Sequence, residues 1–230
     1  LLKHLVEKEG SVDIPRLVSE KRFEGQPVVQ LGVTDENGEL KATNIVPFVR
    51  TNVADREHFQ VHSQKDTGVL YVSKPLVGRA SGKWSIQLSR RINKADGSFG
   101  GIAVASIDPY YFAEFYRQLS LGEASSIALV GRDNIVRVRQ SGNEVAIGQD
   151  FRDSEVIRRV AESEVGSFTA HSPVDGINRI YSYRALREYP LIVVAGVSEE
   201  QVFSDLNRRV TVYYWVCGAM SLVIVLFVAI

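Results

Sequence analysis

Phe99-Gly100-Gly101-Ile102-Ala103-Val104-Ala105-Ser106-Ile107 runs straight into Asp108-Pro109-Tyr110-Tyr111-Phe112. The first part is almost continuously apolar, which predicts a strand covered on both faces. The second part predicts a helix start. Asp is a strong N-cap, and Pro suits the first helical position, where the N–H it lacks would have no partner. Phe112, Phe115, Tyr116 and Leu119 fall at helical spacing and predict one apolar stripe, which Gly122 ends. The same order returns in Ile192-Val193-Val194-Ala195-Gly196-Val197-Ser198. There a core strand ends in a Ser cap, and Gln201 completes a capping box over a helix across 199–209.

Working outward, Asp96-Gly97 predicts a tight turn back into a strand over 82–92. Its alternation places Trp84, Ile86, Leu88 and Arg90 on one face and Ser85, Gln87, Ser89 and Arg91 on the other. Before it come strands over 69–73 and 28–33, the turn Asp35-Glu36-Asn37-Gly38, and a short helix over 54–62 with Asp55 as a candidate cap. After it come strands over 126–130 and 135–138 around the turn Arg132-Asp133-Asn134. A helix over 154–162 and strands over 166–172, 178–185 and 191–197 follow. Two strand-rich modules of similar size thus meet near Leu119–Ala124, each an antiparallel sheet with helices at its side, an α+β fold.

The chain has 230 residues, with 27 Lys+Arg against 27 Asp+Glu. At 45% hydrophobic and 23% charged it is an ordinary globular composition, which excludes disordered and low-complexity classes. The even charge gives no electrostatic case for nucleic acid. A single Cys, Cys217, excludes a disulfide framework and a Cys-based zinc site. No Gly-x-Ser-x-Gly, phosphate-binding glycine loop or nucleophilic Cys motif is present, so neither an enzyme activity nor a cofactor is expected of this chain. His58 and His62 share a helix face, a spacing that can bind metal, but no zinc signature is complete.

Residues 210–230, VTVYYWVCGAMSLVIVLFVAI, carry no charge. A helix of that length spans roughly 31 Å, the thickness of a bilayer core, and Tyr213, Tyr214 and Trp215 cluster at its start as interfacial aromatics do. A transmembrane helix is therefore expected. Arg208 and Arg209 just before it favour a cytoplasmic flank by the positive-inside rule. The helical pattern at the first residues and the apolar run at the last are expected of a piece of a longer chain.

The stretches Asp55-Arg56-Glu57-His58-Phe59, Gly82-Lys83-Trp84-Ser85-Ile86-Gln87-Leu88-Ser89-Arg90-Arg91-Ile92 and Asp96 to Phe112 resemble double Cache domains. These are PAS-like extracytoplasmic sensors of bacterial membrane receptors, here most like those on diguanylate cyclases and some histidine kinases. The resemblance covers about 28–197. It implies an N-terminal stalk end over 1–26, a membrane-distal module over 27–121 and a membrane-proximal module over 122–198. It further implies a connecting helix over 199–209, a transmembrane helix over 210–230 and a cytoplasmic output domain beyond. It implies a homodimer in the bacterial inner membrane with the soluble part periplasmic, which sets Arg208 and Arg209 outside, against the charge rule.

In amino-acid-binding members an Arg-x-Trp-Tyr-like motif and a later Asp grip the ligand. The matching residues are Arg56 to Phe59, with His58 and Phe59 in place of Trp and Tyr, and Asp108. A guanidinium binds a carboxylate bidentately and an Asp receives an ammonium, so an organic acid or amino acid is the expected ligand class. Each residue also has a plainer role. Asp108 is explained by capping, Arg56 by pairing with Asp55 or Glu57, and Trp84 by sheet core. Tyr71, Trp84 and Arg90 are further candidates for the pocket wall; Arg90 on a nominally apolar face needs a partner. Two other readings compete with the small-molecule sensor: a module that recognises a periplasmic protein, and a tail-anchored cytoplasmic enzyme.

Overall fold

The computed structural model describes residues 2–9, 13–15, 27–119, 122, 124–172 and 174–229, with backbone only at 5, 9, 204–210 and 222–229. After helix α1 (Leu2–Glu9), strands β1 (Val28–Thr34), β2 (Leu40–Thr43), β3 (Tyr71–Val77), β4 (Trp84–Asn93) and β5 (Phe99–Ile107) form one sheet. Its order is β2-β1-β5-β4-β3, all antiparallel. Helix α2 (Glu57–Gln64) joins β2 to β3, and α3 (Pro109–Gln118) follows β5. Strands β6 (Ser126–Gly131), β7 (Val136–Ser141), β8 (Glu144–Ala146), β9 (Val165–His171), β10 (Asn178–Ala185) and β11 (Leu191–Ser198) form a second antiparallel sheet, ordered β8-β7-β6-β11-β10-β9. Helix α4 (Glu155–Glu162) lies between β8 and β9, and α5 (Glu199–Ala229) follows β11. The fold is α+β, two antiparallel sheets flanked by a few helices.

The apolar strands β5 and β11 are interior strands of their sheets. That is why they are apolar on both sides. On one face of β5, Ala103 packs with Leu31, Val33, Ile92 and Ile14, backed by Leu2 and Val6 of α1. On the other, Ile102 and Val104 pack with Phe59 of α2. Gly101 takes φ +122°, and a Cβ there would strike the Thr34 carbonyl oxygen, so β1 can approach only a glycine. In the second sheet Ala128, Val130, Val136, Tyr183, Ile192 and Val194 pack beneath Val156 of α4.

Two local expectations are corrected. Asp55 does not cap α2: its carboxylate is held by Arg79 at 2.6 and 2.7 Å, and Arg56 occupies the cap position without a side-chain cap bond. The buried row of α3 is Pro109 and Ala113, with Phe112 and Tyr116 half-buried, while Phe115 and Leu119 are exposed. Both rows have helical spacing. Contact with β7 decides between them, because the small Ala113 lets the helix approach closely. Asp108 does cap α3, accepting the Tyr110 N–H at 2.8 Å.

The sheets are linked by α3, which packs on β7, and by Arg137 of β7, which donates to the Val72 carbonyl of β3 at 3.3 Å. Asp133 holds the same guanidinium at 2.8 and 3.0 Å. The backbone of α5 is continuous over its whole length, with Ser198 Oγ accepting the Gln201 N–H at 3.4 Å. Among the described residues no helix is long and apolar enough to cross a membrane. In the expected span over 210–230, the side chains at 210 and 222–230 lie outside the described residues.

Candidate functional site

Between the first sheet and α2 lies a cavity of about 40 Å³. Strand alternation supplies its floor: Gln30 and Thr34 from β1, Gln87 from β4, Val104 and Ser106 from β5. Arg56 and His58, at the start of α2, form one wall. Gly78, Arg79 and Ala80 complete the lining. Arg79 grips Asp55, next to Arg56, and also donates to the Asn52 carbonyl at 2.6 Å.

The floor is polar but largely self-satisfied. Ser106 Oγ donates to Gln87 Oε1 at 2.6 Å, and Gln87 Nε2 donates to Ser85 Oγ at 2.8 Å. The Gln87 N–H is taken by Ser73 Oγ at 2.8 Å, and Gln30 Nε2 reaches Thr43 Oγ1 at 3.3 Å. Two groups are left over. His58 is buried, and its Nδ1 has no partner. Burial, helped by the nearby Arg56 charge, depresses its pKa to about 4, so the imidazole is neutral near pH 7. Arg56 is half-buried, and among the described residues its guanidinium has neither hydrogen bond nor ion pair. A free guanidinium beside a neutral imidazole can receive a carboxylate and one further polar group.

The structure brings together two of the seven expected site residues, Arg56 and His58. Phe59 lies just behind them as core, edge-on to Phe99 at 5.3 Å. Tyr71 is on the same sheet face but further along, edge-on to His62 at 6.4 Å; burial and the neighbouring Glu57 raise its pKa. Asp108 is away from the cavity at the α3 cap.

Trp84 and Arg90 do not line this cavity: they lie on the opposite face of β4. The period of that strand is as expected, but the face turned to α2 is Ser85, Gln87, Ser89 and Arg91. Ser89 bonds His62 at 3.1 Å and the His58 carbonyl at 3.1 Å, and Arg91 stacks over Phe99. Trp84 is 45% exposed, and Arg90 lies in an open groove with Lys3, His4 and Glu7 of α1. Sequence reasoning missed Gln30, Gln87, Ser106 and Arg79. The available signal was the run of polar residues at alternate positions in β4, which marks a buried polar face when both sides of a sheet are covered.

The fold is that of Cache-type sensor domains from extracellular parts of histidine kinases and chemoreceptors. More narrowly, residues 109–196 match the dCache_1-like family, described as a histidine kinase sensor domain. The extracellular domain of the histidine kinase rpHK1S-Z16 superposes with TM-score 0.77 at 25% identity, covering 88% of this chain and 85% of that one. The ligand-binding domain of the Pseudomonas aeruginosa PAO1 amino acid chemoreceptor PctB, in complex with L-Arg, gives TM-score 0.62 at 12% identity, covering 88% and 85%. That of the Pseudomonas fluorescens chemoreceptor CtaA, in complex with L-leucine, gives 0.60 at 14%, covering 88% and 84%. The last two likenesses concern the fold. No curated protein matches the sequence.

Proposed function

We propose that this chain is the extracytoplasmic ligand-sensing region of a transmembrane receptor, and that the first module, 27–121, binds a small polar molecule of the organic acid or amino acid class. The observation that carries this reading is the unpartnered Arg56 guanidinium beside the unpartnered His58 Nδ1 on the wall of a cavity. Arg56 takes the carboxylate; His58, Gln87 and Ser106 read the remainder. The 40 Å³ cavity must enlarge to admit such a ligand, and the Arg79–Asp55 contact, whose arginine lines it, is the part that opens. The receptor is a homodimer in a bacterial inner membrane with the sheets in the periplasm. Binding shifts the second module, 122–198, against α5. The uncharged run 210–230 crosses the membrane and passes the shift to a cytoplasmic histidine kinase or diguanylate cyclase domain. The ligand acts only through its preference for one of the two states. A thermal-shift screen of amino acids, organic acids, polyamines and nucleobases tests this. A hit that Arg56→Ala abolishes supports it; a hit indifferent to Arg56→Ala removes this site.

A second reading, recognition of a periplasmic protein, is favoured by the small cavity and by Val46, Phe48 and Val49, which are 82%, 55% and 45% exposed on the loop before it. Replacing Phe48 and Val49 by Ser should abolish signalling under that reading and spare it under the first.

A further inference from the structure

The second sheet has a cavity of its own, of about 760 Å³, between its α4-facing surface and the start of α4. That is the size range of small-molecule sites. Its walls include Ala128, Phe151, Val156, Phe168, Tyr181 and Val194. Phe168 and Tyr181 stack there at 5.4 Å and 22°.

Into this apolar chamber β7 brings Arg139, which is 5% exposed. Register explains why it points there: Arg139 pairs with Ala128, which pairs with Val194, and all three share one face. Its Nε has no partner, and among the described residues the guanidinium makes no hydrogen bond and no ion pair. The largest attraction comes from Asp175, but Arg179 already holds that carboxylate at 2.8 and 2.8 Å; Glu144, exposed on β8, adds a smaller one without an ion pair. At the rim, Asp150 is held by Arg152, and Glu155 by Arg158 and Arg159; Asp153 stands in solvent at the mouth. Two further polar atoms lining the chamber, Gln149 Oε1 and Ser154 Oγ, also lack partners. Ser154 occupies the cap position of α4 yet makes no cap bond.

A buried cation without a counter-charge is unfavourable in a free protein. Space beside it, apolar walls and spare hydrogen-bonding atoms all point to what offsets it. We propose that the second-sheet cavity is a separate binding site for an organic monocarboxylate with a flat apolar body, held by Arg139 through its carboxylate, with Gln149 and Ser154 at the polar end and Phe168 and Tyr181 against the body. Arg179 and Arg137, the other buried arginines of this sheet, each have their own Asp. Arg139 differs from them in having none.

Phenylacetate and its neutral isostere phenylacetamide are the probes. Calorimetric titration of the whole chain in a neutral maltoside detergent at pH 7 should show one phenylacetate site and roughly 10- to 100-fold weaker binding of the amide, the range set by a charge-assisted hydrogen bond. Saturating phenylacetate should raise Tm by several degrees. Arg139→Met should abolish the phenylacetate heat while leaving the Tm of the free protein unchanged or higher, a result that a purely structural arginine would not give. Arg139→Lys, which keeps the charge and loses the fork, should bind weakly. The proposal is overturned if phenylacetate does not bind, if the amide binds equally, if Arg139→Met binds as the parent does, or if that variant is destabilised or unfolded.

Discussion

The two cavities differ in a way that their position does not foretell. Each lies between a sheet and the short helix over it, α2 in one case and α4 in the other. The first is about 40 Å³ and floored by side chains that bond one another. The second is about 760 Å³ and holds an arginine whose guanidinium bonds nothing among the described residues. Buried polarity alone therefore does not mark a site. Gln87 and Ser106 are as buried as Arg139, but their hydrogen-bonding capacity is used internally. Room plus an unsatisfied charge is the informative combination, and among the described residues of the first cavity only Arg56 approaches it.

The largest effect should come from turning a paired arginine into an unpaired one. Asp175→Ala removes both carboxylate bonds to Arg179, which is 1% exposed. It should cost about 3–5 kcal/mol, as breaking buried pairs does, measured by urea unfolding. A loss below about 1 kcal/mol would mean that buried arginines in this sheet need no counter-charge, and the contrast with Arg139 would collapse.

Next is the pH response of the first cavity. The folded pKa of His58, about 4, lies below the ordinary 6.5. The folded state therefore binds fewer protons between these values. Stability from this source is complete above pH 6.5 and is lost as pH falls toward 4, by about 3 kcal/mol in total. Burial lowers the pKa of His62 as well, which adds in the same direction. His58→Gln should flatten the profile of unfolding free energy against pH. An unchanged profile would mean that His58 is already hydrated and the first cavity open, which would sharpen the comparison by reversing it.

The smallest effect is expected inside the polar floor. Gln87→Leu leaves Ser85 and Ser106 without that partner and should cost about 1–2 kcal/mol in thermal unfolding. A neutral result would show that water already serves those hydroxyls.

Much of the fold was legible in the sequence because its signals are local. The bounds of β5 and β10, the Asp108 cap and the α+β class rest on apolar runs, turns and caps. β8 was missed because three residues carry no periodicity. The site was harder to read, for a physical reason. Alternation divides a strand into two faces but does not say which one meets the cavity when both are covered, and Trp84 and Arg90 lie on the face of β4 turned away from it. β7 is less legible still. The strand expected over 135–138 says nothing of where its arginines point, yet every residue of β7, Arg137 and Arg139 included, is buried. The partners that make Arg137 tolerable inside, and the lack of any for Arg139, are tertiary facts.

The most direct measurement is a crystal of the chain grown with 4-bromophenylacetate and phased on the bromine anomalous signal. The account predicts a bromine peak among Phe168, Tyr181 and Val194, with the carboxylate on the Arg139 guanidinium. A peak in the first cavity beside Arg56, or no ordered bromine while the probe saturates the protein in solution, would contradict it.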